Sequence, residues 1–435
     1  MTPNETARYA LEALLKNGAD RASCRASSGR TDEFNVEANK FTLMRTLFHD
    51  ELTIKAIKGN RKGIMMINRL DADSVKQAVA DCVTLASSAT PDEAEDIAEK
   101  CENKNFDRNL GGADREKLFD RTRDFIGQVR DEFPKIVLEG MTSEFNSIKT
   151  AYMNSNGVEF NSESEYYRIE TMFSAKDGEK SSSFNGYGAS LVSLEKPFMN
   201  LDMHRTLIAE SEKSLDTRMV EGKFTGKVIV TPACDDMIWR TLIGCFLSDT
   251  SMVQGTSRWK DSLGAKVADP KLTFRAAPLH PLMVNGERFT VDGYESRDMD
   301  IIKDGVLVSF ALSLYGSRKT GKKRALNSAF GNIEVAAGNT PLDKMIGSVD
   351  RGILLNRFSG GMPGPGGDIS GVAKNSFLIE NGAITGALKE TMVSFNIAEA
   401  MKNITAISAE RCSNGVSILP WCCFDGITLS GGNPR

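Results

Sequence analysis

Histidine is scarce in this chain: His49, His204 and His280 are the only three in 435 residues, and none falls in an H-E-x-x-H or other paired-ligand spacing. A catalytic zinc site draws two or three imidazoles or thiolates from close positions, so the sequence offers no such constellation. The eight cysteines include no C-x-x-C pair and stand among apolar neighbours, which predicts buried, reduced thiols rather than a disulfide framework. Cys422 and Cys423 are adjacent, and in a strand they point to opposite faces, so they should pack rather than share a metal. No stretch approaches eighteen consecutive apolar residues, and the first residues lack a basic region leading into an apolar core. A cytoplasmic chain with no membrane contact is the expectation. Positive charge is not in excess either: 54 Lys and Arg stand against 58 Asp and Glu, a net charge of −4. That balance argues against a broad nucleic-acid-binding surface, and no direct contact with nucleic acid is expected. A G-x-S-x-G nucleophile elbow is also missing, which leaves a serine hydrolase without its anchor.

What is present is organised punctuation. Thr2-Pro3-Asn4-Glu5 spells a capping box with proline at the first helical position, and apolar residues then recur on one face as far as Asn17-Gly18. Residues 19–69 alternate as strands with a turn at Gly59-Asn60, a second helix starts from Asp71, and a third is predicted over roughly 114–132. Residues 88–113 are polar and weakly patterned, and suit a linker. After residue 150 there are nine Asn-Gly or Asp-Gly pairs, from Asn156-Gly157 to Asp425-Gly426, which are signals for tight hairpins and hence for an antiparallel second half. One helix is predicted within that half, over "CDDMIWRTLIGCFLSD", where Ile238, Leu242, Cys245 and Phe246 recur at helical spacing.

Two further stretches stand out. "RFSGGMPGPGGDISG" (357–371) is rich in glycine, but Gly367 and Asp368 stand where a phosphate-binding P-loop requires Lys and then Ser or Thr, and β-patterned segments rather than a helix follow. It reads as a shaped loop at a sheet edge where another backbone passes closely. "GSRKTGKKRALNSAFG" places Arg318, Lys319, Lys322, Lys323 and Arg324 on a loop, either a solvated hairpin tip or a contact for a partner or a substrate chain.

Several segments together resemble one family. "ATPDEAE", "NSNGVEF", "DSLGAKV", "LYGSRKTGKK", "AAGNTPLDKMI" and above all "GGDISGVAKNSFLIENGAITGALKE" followed by "NITAISAE" are similar to the TldD/PmbA family, nearer its PmbA (TldE) branch of modulators of DNA gyrase. The resemblance implies an α+β fold: an N-terminal α/β domain plus a β-rich C-terminal domain with a large curved antiparallel sheet. It also implies partnership with a TldD-like chain, which carries H-E-x-x-x-H on a helix, binds the catalytic metal, and forms with its PmbA-like partner a peptidase for unfolded peptides.

At the approximate place of that motif this chain has Arg240-Thr241-Leu242-Ile243-Gly244-Cys245. A guanidinium stays protonated and cannot ligate a metal, Thr241 cannot replace a glutamate general base, and Cys245 alone makes a poor site. The expectations are therefore three domains (1–105, 106–222 and 223–435), no catalytic residue and no cofactor in this chain, and zinc in a TldD-like partner. The chain would be inactive alone, with Arg318, Lys319, Lys322, Gly361, Gly364, Gly366 and Asp368 lining a peptide channel shared with that partner. The alternatives are a homodimeric peptide- or protein-binding regulator without hydrolysis, and an independent peptidase with an unrecognised site.

Overall fold

Thr2 caps the first helix reciprocally: its hydroxyl accepts from the Glu5 amide at 3.3 Å, and its own amide donates to the Glu5 carboxylate at 2.9 Å. The helix it opens, α1 (Pro3–Lys16), is followed by α2 (Ala72–Ser88) and α3 (Arg115–Glu132), capped by Asp71 and Asp114. The computed structural model describes residues 1–234 and 236–431, without the side chains at 236 and 237.

The first sheet is built from β1 (Arg21–Glu37), β2 (Lys40–Lys58), β3 (Arg61–Ile67), β4 (Lys104–Arg108), β5 (Ile136–Asn154) and β6 (Glu159–Asp177), in the order β3-β2-β1-β5-β6-β4. Two further strands, β7 (Lys180–Ser181) and β8 (Asn185–Leu191), also pair with β6. On one face, Ala22, Cys24 and Ala26 of β1 with Ala151 and Met153 of β5 meet α1 and α2. Further along that face, Phe145, Ile169 and Phe173 meet α3 and a fourth helix, α4 (His204–Lys213). This sheet runs across the division expected at residues 105 and 106: β1 pairs with β5, and β4 runs parallel to β6. The polar segment 88–113 is not a free linker, because Ala94, Ile97 and Ala98 are buried and Glu95 is held by Lys55 at 2.9 Å and by Lys62. Its cues are long-range pairings, which leave no local periodicity to read.

The second sheet draws fourteen strands from Thr217 to Ser430 and is mainly antiparallel and curved. The long strand Ile418–Ser430 runs through it, flanked by Lys223–Val230, Thr391–Asn396 and Ile404–Ser413. Cys422 joins the main core of this half, with Val228, Phe246 and Leu429, while Cys423 joins Ile229, Met345 and Phe377 in a separate cluster, as strand alternation predicts. All eight cysteines are free thiols. Most Asn-Gly and Asp-Gly pairs place glycine at positive φ, but Asn185-Gly186 lies within β8. There the buried Asn185 amide donates to Leu207 O and Ser211 Oγ, tying β8 to α4 instead of turning the chain. Among the described residues, no helix is long and apolar enough to cross a membrane.

Candidate functional site

The single helix expected over 234–249 is three pieces. A π-helical turn (Asp236–Arg240) leads into α5 (Thr241–Phe246), and Ser248, whose hydroxyl accepts from the Ser251 amide, caps a new short helix, α6 (Asp249–Val253). The "SD" at 248–249 is a helix-start signal inside an apolar run.

On α5, Leu242, Ile243 and Phe246 are buried, while Arg240, Thr241 and Cys245 stand at its partly exposed margin. The Arg240 guanidinium donates to Phe330 O at 2.5 Å. Burial raises the Cys245 thiol above its ordinary pKa, away from the thiolate that binds metal. Its Sγ lies 3.8 Å from Gly364 O, so the structure brings together the helix and the glycine-rich loop that the sequence singled out separately. Among the described residues, no group of three or more His, Cys, Asp or Glu side chains is arranged to hold a metal. One half-buried thiol, an arginine and a threonine do not fit a zinc ion, and no step of chemistry is drawn through one here.

The glycine-rich segment connects the antiparallel strands Arg357–Gly360 and Asp368–Lys374. Two kinds of glycine occupy it. Gly361 and Gly364 face open space, and a Cβ at Gly366 would meet only Asp368 Oδ2, at 3.7 Å. Gly367 is different: its φ is +86°, and a Cβ there would fall 2.6 Å from the Phe246 ring and 2.8 Å from Ile397. The close approach that demands glycine is therefore made by α5 of the same chain. Asp368 accepts from the Asn396 amide at 2.9 Å, and Met362, at the loop tip, is 95% exposed.

The basic segment is not a flexible loop. Residues Leu314–Thr320 form a short helix, α7, capped at its start by Ser313 and at its end by Gly321 at φ +69°. Its cations already have partners in the first half of the chain: Arg318 pairs with Asp96 and donates to Glu93 O, and Lys319 pairs with Asp92 at 2.9 Å. Lys322 lies over the Phe310 ring. Arg318 and Lys319 thus join the two halves of the molecule through the 92–96 acidic segment, whereas Lys323 remains exposed. The "ATPDEAE" and "LYGSRKTGKK" stretches, read separately in the sequence, meet here. The only buried histidine, His204, stacks between Phe125 and Tyr187, with hydrogen bonds to Phe198 O and Thr171 Oγ1.

A surface that sequence reading missed lies on β2. Its residues 52–58 pair with β3, but 40–51 have, among the described residues, a neighbour on one side only, β1. Leu43, Met44, Leu47 and Phe48 are exposed along this open edge, Phe48 at 77%. The signal was available in "LMRTLF", whose apolar residues fall on both faces of a strand.

The comparisons with known proteins bear on this arrangement. Residues 222–431 match the family model described as the PmbA/TldA metallopeptidase C-terminal domain. The second half of the chain is thus similar to the C-terminal domain of that family. It is 26% identical over 208 residues to the metalloprotease PmbA of Escherichia coli O157:H7, an alignment that covers 47% of this chain and 44% of that protein. Its fold is that of a TldE from Thermococcus kodakarensis (TM-score 0.83, 19% identity, 97% of this chain and 100% of that one). It is equally that of a proposed modulator of DNA gyrase from Bacteroides thetaiotaomicron VPI-5482 (TM-score 0.84, 20% identity, 98% of both chains).

Proposed function

We propose that this PmbA/TldE-family chain is the metal-free subunit of a two-chain peptidase for unfolded peptides, with zinc and the attacking water supplied by a TldD-like partner. The observation that carries this reading is the chemistry of α5: at the position where the resemblance puts a histidine, a glutamate and a second histidine, the chain has Arg240, Thr241 and Cys245, none of which can replace its counterpart. The open edge of β2 favours assembly with another chain, because unpaired backbone and exposed apolar side chains gain hydrogen bonds and lose water when a strand is added. The glycine loop beside α5, with Gly361 and Gly364 facing open space, offers room for a peptide backbone. The basic helix fits the channel less well, since Arg318 and Lys319 are spent on Asp96 and Asp92.

Native mass spectrometry of the chain captured from its own cells, with metal analysis, tests the proposal. The expected species is a one-to-one complex with a heavier, zinc-bearing chain. A metal-free homodimer would favour a binding regulator, for which the same β2 edge could serve as a self-complementary surface. Stoichiometric metal in a homodimer would overturn the reading.

A further inference from the structure

Strand alternation gathers three arginines on the face of the first sheet turned away from its helices. In β4, Lys104, Phe106 and Arg108 share one face and Asp107 takes the other. The register extends that face across the sheet: Arg108 pairs with Ser164 and then Ile148, Phe106 with Ser162 and then Thr150, and Lys104 with Phe160, then Tyr152, then Arg25. Loop 284–289 of the second half lies over these rows, bringing Arg288 and Phe289, and encloses a cleft of 290 Å³.

Arg25, Arg108 and Arg288 are all half-buried, and among the described residues none of them is ion-paired to a carboxylate. Arg108 donates to Met283 O at 2.7 Å, and Arg25 lies over the Phe289 ring at 6.0 Å. Three acidic residues, Asp107, Glu163 and Glu287, also line the cleft, and the last two are engaged by other groups. The side chains of Asp107 and Glu163 alternate onto the opposite face, where Lys149 holds Glu163 at 2.8 Å. Glu287 accepts from Ser296 Oγ and from the Ser328 amide. Burial and the neighbouring Arg288 both push the Arg108 guanidinium below its ordinary value. Like charges gathered in a half-dry cleft repel one another unless an anion offsets them.

We propose that this cleft is a binding site for a small oxyanion-bearing ligand. A carboxylate or phosphate head is held by the guanidinium forks of Arg25, Arg108 and Arg288, with Phe106 and Phe289 forming an apolar wall. The site lies within one chain, at the junction of its two halves, and does not depend on the partner-subunit reading. Isothermal titration of the full-length protein with pyrophosphate and, separately, with a tripeptide carrying either a free or an amidated C-terminus tests it. The expected result is one-to-one binding of at least one probe, weakened about tenfold or more in Arg288→Gln and in Arg25→Gln. Binding of pyrophosphate identifies a phosphate site, and binding of the free-acid peptide but not its amide identifies a carboxylate site. Circular dichroism establishes that each variant is folded, and Arg25→Gln carries the test if Arg288→Gln is not. No binding of either probe, or binding unchanged in the folded variants, overturns the proposal.

Discussion

At the residue scale, two titratable groups on α4, the buried His204 and the half-buried Glu210, pull stability in opposite directions with pH. His204, fully buried among aromatic rings, has its pKa depressed from 6.5 to about 4 by burial. As the pH falls from 6.5 toward 4, the unfolded chain takes up a proton that the folded chain refuses, and stability drops by up to about 1.4 kcal/mol per pH unit. Glu210 is raised by burial from 4.5 to about 7, with the Asn356 amide 2.7 Å from its carboxylate. Its contribution is fully present below 4.5 and is lost as the pH rises through 7, so the two slopes offset each other between about 4.5 and 6.5. Urea unfolding of Glu210→Gln across that window should show stability rising with pH relative to the unsubstituted protein, and His204→Phe should show it falling. Parallel curves for all three proteins would refute the assignment. The glycines make a second residue-scale test. Gly367→Ala should cost about 1–3 kcal/mol, because its Cβ meets Phe246, whereas Gly364→Ala should stay within about 0.5 kcal/mol.

At the element scale, the helices α1, α2 and α3 were legible because caps and apolar stripes are written within a dozen or so residues. β4 was not, since Phe106 finds its partner at Ser162 and no local pattern encodes that pairing. For the same reason the 314–320 segment read as a loop: seven residues with Gly316 among them carry no apolar stripe, while the ties that fix it, Ser313 to Asp249 and Arg318 to Asp96, reach far along the chain. The candidate site was legible in its chemistry, through Arg240 and Thr241, but not in its geometry, because the contact between Cys245 and Gly364 spans more than a hundred residues. The exposed strand edge is the element whose role is most directly testable. If the proposed partner covers this edge, Phe48→Glu should weaken their association about tenfold or more, measured by native mass spectrometry. The unfolding midpoint of the isolated chain should hardly move, because substitutions at so exposed a position usually change stability by less than about 0.5 kcal/mol.

At the scale of the whole molecule, the two sheets are joined by an aromatic cluster in which Phe289 of the second half packs against Tyr152, Phe160 and Phe106 of the first. The Tyr152 hydroxyl donates to Asp292 O at 2.9 Å, and Lys104 pairs with Glu295 at 3.0 Å. Truncating the 6%-exposed Phe289 to alanine should cost about 3–5 kcal/mol, and calorimetry should then resolve two unfolding transitions where the intact junction gives one. The three domains read from the sequence become two sheets because the central segment supplies strands to the first of them. The open edge of β2 also bears on how the protein is made. An extended, half-apolar backbone is a template for any like edge it meets, so newly synthesised copies whose edge stays uncovered are expected to collect on one another. Under the two-chain reading proposed above, production in step with the partner becomes a condition of solubility before it is one of activity.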